Sequence, residues 1–275
     1  MTTQIKFGYI CPIPFLNDFV PESADFHLIL AHLLTDPNYV EFYNKKADRG
    51  DMIILDNSAF EFGRPIETEE LLKLIDESGI RPTHVVAPDY PGQPWRKTYE
   101  SACNFIETLD KLGRLSEFKI MAVPQSEMGE FAEWIQCYHS LTELQYADVV
   151  GMSILGIPNA FCSLTGTSDI ATNRIFATMF LKERGMIASK WHHYLGLGNG
   201  PRELFFQREL GVANSCDSSS PIWHGINNIS YDSSATGLID GKIKLPVDFH
   251  GTQNISQLQH DRVKHNINFI ENCCK

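Results

Sequence analysis

Short apolar runs rich in β-branched residues recur along this chain, separated by longer segments whose apolar positions keep helical spacing. The runs fall at 5–10, 52–55, 84–87, 119–123, 148–154, 193–197 and 211–215. Helical spacing marks 26–34, 68–75, 95–112, 127–144 and 173–184, and Glu67, Glu69 and Glu70 sit where acidic side chains favour a helix start. Strands that alternate with helices pair in parallel, because only a long crossover returns the chain to the same edge of a sheet. The expected class is therefore α/β, a (β/α)8 TIM-type barrel with its eighth strand hidden at 229–247 or ahead of Phe7. A doubly wound open sheet is the competing arrangement, since counting strands does not distinguish closure; chain length and strand number favour the barrel. No repeat, low-complexity run or Pro/Gly/Ser-rich linker divides residues 1–275, so one domain is expected.

Composition narrows the function classes. No apolar stretch approaches the roughly 20 residues of a membrane span, so no membrane partner is expected. The opening stretch lacks a basic region followed by a long apolar core, so no secretory leader is expected either. Seven scattered cysteines, an odd number, read as reduced thiols of a cytoplasmic protein rather than a disulfide framework. The net charge of −11 counts against nucleic acid as a partner unless a basic face is local or supplied by another chain.

In both candidate architectures the chemistry gathers where strands end. The segment after 52–55 is "DNSAFEFG", carrying Asp56 and Ser58; after 84–87 comes "PDYPG", with Asp89. "AVPQS" brings Gln125, "GMSILG" brings Gly151, "LGLGNGPREL" brings Gly196 and Gly198, and "CDSSSP" follows 211–215 with Asp217. A single aspartate at such a place is usually a turn or helix cap. Three on one rim, beside a glutamine, allow a division of labour in which one carboxylate attacks a carbon and another moves protons. The third, with the amide and a backbone N–H, matches a planar heterocycle such as guanine, whose N1–H and 2-amino group lie beside O6.

The order of these motifs resembles the tRNA-guanine transglycosylase superfamily over roughly residues 52–220. "LDNSAFEFG" is similar to the family's Asp-Ser-Gly-Gly-Phe-Gln segment, and "PDYPG" stands where the family reads its base with an aspartate. "VPQS" and "VGMSILG" resemble its Val-Gln-Gly and Val-Gly-Gly segments. "HYLGLGNGPREL" resembles its Tyr-Leu-Met-Gly-Val-Gly stretch, and "NSCDSSSP" takes the place of the nucleophile segment. The resemblance implies Asp217 as the nucleophile on C1′, Asp56 as general acid/base, Asp89 on the N1/N2 edge of the base, and Gln125 with the Gly151 N–H on O6. Ser58, Phe60, Gly196 and Gly198 are expected to line the same substrate site.

The family's zinc signature is absent, so no metal and no cofactor is expected; any zinc would have to come from Cys162 with His192 and His193, or from His260, His265, Cys273 and Cys274. A short chain without the zinc subdomain looks most like the phage-type DNA transglycosylases. Those exchange guanine in DNA for a 7-deazaguanine base such as 7-cyano-7-deazaguanine and so mask a genome from restriction. The implied partners are DNA, ahead of tRNA, and the 7-deazaguanine base; a homodimer or a protein that assists DNA binding is the further partner the resemblance allows. A deazaguanine nucleoside hydrolase and a non-catalytic purine-binding barrel are the remaining readings. A base in a duplex must be flipped out to reach a buried carboxylate. Stacking aromatics for it are expected among Phe60, Phe62, Tyr90, Trp95 and Trp223, and backbone contacts among Arg64, Arg96, Lys97, Lys190 and Arg202. Cys216 and His193 are read as packing residues, and the stretch 255–270 as a closing helix.

Overall fold

The computed structural model describes residues 4–198, 200–232, 246–251 and 254–275. Among these, eight strands form one sheet in which every pairing is parallel. They are β1 (Lys6–Tyr9), β2 (Phe26–Leu30), β3 (Met52–Asp56), β4 (His84–Val86), β5 (Lys119–Ala122), β6 (Ala147–Met152), β7 (Trp191–Tyr194) and β8 (Ser215–Ser218). The helices are α1 (Leu16–Phe19), α2 (Pro37–Asp48), α3 (Ala59–Phe62), α4 (Thr68–Ser78), α5 (Trp95–Lys111), α6 (Phe131–Thr142), α7 (Gly156–Thr165), α8 (Ile170–Glu183), α9 (Arg202–Leu210), α10 (Ser220–Ile226) and α11 (Gln257–Cys274).

The strand order, β1-β8-β7-β6-β5-β4-β3-β2, runs once around a nearly closed barrel, consistent with a (β/α)8 TIM-type fold. The seam lies between β1 and β2. There the strands come so close that a Cβ on Gly8 would stand 3.1 Å from the Leu28 backbone nitrogen and 3.2 Å from the Phe26 ring. Glycine at this position is a packing requirement of the seam.

The helices form for local reasons and dock by one face. α5 turns Trp95, Thr98, Ala102, Phe105 and Leu109 to the sheet, a three-to-four-residue spacing that makes one buried stripe. Asp36 accepts from the N–H groups of Asn38 and Tyr39 to start α2, and Asp169 accepts from that of Thr172 to start α8. Ser256 and Gln259 form a reciprocal capping box at α11, the expected closing helix, which crosses α10 where Gly225 leaves no room for a side chain beside Val263.

Two expectations are corrected. The 26–34 segment is a strand, β2, followed by a 3-10 turn at Ala31–Leu33, and it supplies the eighth strand. All five residues of "FHLIL" are buried, because a barrel strand meets side chains inside and helices outside, and this erases the alternation that marks strands. The hidden strand is thus not ahead of Phe7, and most of the other expected location, 233–245, lies outside the described residues. The last strand begins at Ser215, four residues later than the 211–215 run implies, so Asp217 lies inside β8, opposite Gly8 of β1.

Gly8→Val forces the seam apart or displaces Phe26. Overpacking of this kind costs about 1–3 kcal/mol, and urea denaturation followed by circular dichroism is expected to register a loss of that size.

Candidate active site

One cavity of about 640 Å³ opens at the carboxyl ends of the strands. Four carboxylates line it: Asp56, at the end of β3; Glu61, in α3; Asp89, just beyond β4; and Asp217, in β8. Gln125, Gly196, Gly198 and Phe60 line it as well, while Leu28, Leu30, Val123, Ile154 and Leu197 give it apolar walls. Among the described lining residues there is no Lys or Arg.

Asp217 is buried, and both of its hydrogen bonds fall on one oxygen. His193 Nε2 lies 2.9 Å from Oδ1, and the Gly196 N–H donates to the same atom at 3.0 Å. Behind His193 a relay fixes the tautomer. The indole N–H of Trp191 donates to Ser215 Oγ at 2.7 Å, and Ser215 Oγ lies 2.8 Å from His193 Nδ1. The serine proton then goes to Nδ1, leaving Nε2 as the N–H that meets the carboxylate. Gly196 can make its contact because it turns with φ +68°, a left-handed conformation natural to glycine.

Asp56 has different surroundings. Burial, then the charges of Glu61 and Asp89 and, more weakly, Asp217, hold its carboxyl protonated well above the ordinary carboxylate range, against the Ser58 N–H that favours the anion. That N–H reaches Asp56 Oδ2 at 2.8 Å because Ser58 takes a left-handed backbone with φ 59°. Asn57 repeats the turn one residue on, its Oδ1 accepting from the Ala59 N–H. These two side-chain turns aim the segment after β3 at the cavity.

Asp89 is held between two amides. Asn57 Nδ2 donates to Oδ1 at 2.8 Å and Gln125 Nε2 to Oδ2 at 2.7 Å. Burial pushes its carboxyl up to about 6, restrained by these two amides, so at neutral pH it is mostly an anion with lone pairs left to accept. The Gln125 Oε1 atom is buried without a partner, and only the missing side chain of Gly156 leaves space for it.

The structure brings Asp56, Asp89, Gln125, Phe60, Gly196, Gly198 and Asp217 to one cavity and leaves two expected residues off its wall. Ser58 is buried with its hydroxyl 2.9 Å from His32 Nδ1, and it acts on the site through its backbone. Gly151 lies inside β6 against Val123 and Leu195; Ser153 to Leu155, beyond the strand end, line the cavity in its place. Of the aromatics, Phe60 and Trp223 line the cavity, whereas Trp95 is core and Tyr90 donates to Glu67. Arg64, Arg96 and Lys97 are exposed beyond β3 and β4, the last two over the Trp95 and Tyr90 rings. Lys190 is a correction: it precedes β7 and bonds the Leu144 and Ala147 carbonyls at the opposite end of the barrel.

Asn57, Ser215 and the role of His193 were not legible in the sequence. The pairing of His193 with Asp217 is set by the register that places His193 beside Ser215, and no motif carries that information. Cys216 is buried with its thiol raised far above its ordinary range, chiefly by burial, which suits the packing role expected of it. His192 uses both ring nitrogens within the fold, on Tyr138 Oη and the Lys190 carbonyl. No cluster of three or more His, Cys, Asp or Glu side chains arranged to hold a metal occurs among the described residues. No helix among them is long and apolar enough to cross a membrane.

No family model matches the chain, and no curated protein matches it significantly.

Raising the Asp89 carboxyl to about 6 has a consequence with a defined sign. The unfolded chain releases this proton near 3.9, before the folded protein does, so the stability the group contributes at low pH is lost as pH rises through about 4 to 6. The loss amounts to about 2–3 kcal/mol. Asp89→Asn removes it, with Gln125 free to turn its unpartnered Oε1 toward the new amide. Urea denaturation at pH 4.5 and 7.5 is expected to show the variant gaining on the wild type at the higher pH.

Proposed function

We propose that this chain is a base-exchange transglycosylase that replaces guanine in DNA with a 7-deazaguanine base, such as 7-cyano-7-deazaguanine, through a covalent glycosyl intermediate on Asp217. The observation that carries the reading is the pair of opposed carboxyls in one cavity. Asp217 is anchored by a single oxygen, and Asp56 is kept protonated by burial and by its acidic neighbours. A carboxyl that keeps its proton, across a cavity from a carboxyl group with one oxygen left free, is what an acid and a nucleophile require.

The chemistry then follows. Asp217 Oδ2, the oxygen left out of the anchoring bonds, attacks C1′ while the bond from C1′ to the base nitrogen breaks. Asp56 gives its proton to the departing guanine and becomes the carboxylate that takes a proton from the incoming base. The nitrogen of that base attacks C1′ and releases Asp217. Asp89, held by Asn57 and Gln125, accepts from the N1–H and 2-amino edge of the base, and the apolar walls hold the ring.

The reading for DNA is supported by the exposed Phe60 and by Arg64, Arg96 and Lys97 on the same side of the rim, suited to a flipped base and its flanking phosphates. The seven free cysteines fit a cytoplasmic setting, the host cytoplasm for a phage-encoded enzyme. A second reading, a hydrolase of free deazaguanine nucleosides, is favoured by the lack of Lys and Arg among the described lining residues and by the net charge of −11. In that case water takes the place of the incoming base at C1′.

The test is to trap the intermediate. Wild type, Asp217→Ala and Asp56→Ala are incubated separately with guanine-containing DNA, tRNA and a 7-deazaguanine nucleoside, then run on denaturing gels while uptake of labelled base is followed. The expected result is a denaturation-stable adduct with DNA that is absent in Asp217→Ala, and base uptake lowered about 10²–10⁴-fold in Asp56→Ala. Turnover of the nucleoside alone selects the second reading. No adduct, no uptake and no hydrolysis with any of the three overturns both.

A further inference from the structure

Arg174 lies in the middle of α8 with its side chain 1% exposed, an unusual place for a permanent cation. Its charge is balanced by Glu203 of α9, equally buried, with Nε 3.0 Å from Oε1. The guanidinium also lies over the Tyr194 ring of β7, 5.2 Å from its centroid, and the pair's other side-chain hydrogen bonds go to the loop after β7. Arg174 Nη1 donates to the Leu195 carbonyl at 3.0 Å and to the Gly196 carbonyl at 2.8 Å, and Glu203 Oε2 accepts from the Gly198 N–H at 2.7 Å. Leu195, Gly196 and Gly198 are therefore all tied to one buried ion pair.

The Leu195 carbonyl and the Gly196 N–H belong to the same peptide group. The carbonyl points at the guanidinium and the N–H at Asp217 Oδ1. A cation on the oxygen of a planar, delocalised amide draws electron density from its nitrogen and makes the N–H a stronger donor. We propose that Arg174 is a positioning residue for Asp217 that acts across this one peptide, fixing the Gly196 N–H on Oδ1 and carrying part of the guanidinium charge to the nucleophile. The inference rests on the reading of Asp217 as nucleophile, but the hydrogen bond it describes can be observed without any activity.

The pair Arg174 and Glu203 gives the proposal opposite signs to test. Glu203→Gln keeps an acceptor for the Gly198 N–H and leaves Arg174 unbalanced, so the relay strengthens. Arg174→Met/Glu203→Gln removes the relay without leaving a buried charge alone. Arg174→Lys keeps the charge and one donor to the loop. The other ionisable groups facing Asp217 are His193 from β7, Asp56 from β3, Glu61 from α3, Asp89 beyond β4, His224 from α10 and its neighbour Cys216, and none of them is altered.

Two readouts are taken on each variant: the Gly196 amide proton by ¹⁵N–¹H NMR, and the pH dependence of adduct formation in single turnover. The amide is expected to move upfield in Arg174→Met/Glu203→Gln and downfield in Glu203→Gln. The acid limb of the rate profile is expected to move up by about one pH unit in the first and down in the second. Adduct formation slows about ten- to a hundred-fold in the double variant with KM unchanged, and is partly restored in Arg174→Lys. A rigid structural role would lower the plateau in both variants without opposite shifts, and that result overturns the proposal. So does a Gly196 amide that stays in place, whatever the activity. If the double variant does not fold, the direction of the two shifts in Glu203→Gln decides alone. Amide shifts of the expected signs in a protein whose wild type makes no adduct leave the peptide relay standing and remove the transglycosylase reading.

Discussion

A carboxylate taken out of water is tolerated only where donors are already aimed at it, and otherwise it keeps its proton. The strand-end face of this barrel is organised around that constraint. Asp217 receives an imidazole N–H and a backbone N–H on one oxygen, and Asp89 receives one amide on each oxygen. Asp56 receives one backbone N–H in a neighbourhood of like charges and stays protonated. Burial, like-charged neighbours and donor supply, rather than residue type, thus set Asp56 and Asp89 apart within one cavity.

Those donors are held in place by further contacts, several of them made by residues off the cavity wall. Asn57 reaches Asp89 because its own carbonyl oxygen is tied to the Ala59 N–H; Ser58 offers its N–H to Asp56 because its hydroxyl is tied to His32. Ser215, carrying the Trp191 indole, sets the tautomer that lets His193 donate. A glycine at 156 leaves the space that Gln125 occupies. Each is a second contact that converts a mobile polar group into a fixed one, so that little reorganisation is left for the moment of reaction.

The strands with an ordinary surround were legible in the sequence, and their ends located most of the site. Asp56, Asp89, Gln125 and the glycines after β7 are found where a carboxyl-end rule places them. The misreadings share a cause. β2 is buried on both faces and carries no period-two signal; β8 is made of Ser, Cys and Asp, which have little strand character, so Asp217 looked like a loop residue. Gly151 was placed one step too far along β6, and Lys190 was placed at the wrong end of β7, because strand boundaries are the least determined part of a pattern.

By itself the sequence determined the alternation that forces parallel pairing, the chemistry-bearing residues at the strand ends, and the acidic, cation-poor character of the chain. All of these are local or compositional properties, carried by neighbours a few residues apart. Only the tertiary structure decided that Asp56 keeps its proton and which donors meet Asp217, since burial, Asp89 and Asp217 act on the first, and His193 and Gly196 on the second, across strands that the register of the sheet brings together. It alone decided that β1 and β2 meet at Gly8, that His193 faces Asp217, and that the charge of Arg174 lies one peptide away from it.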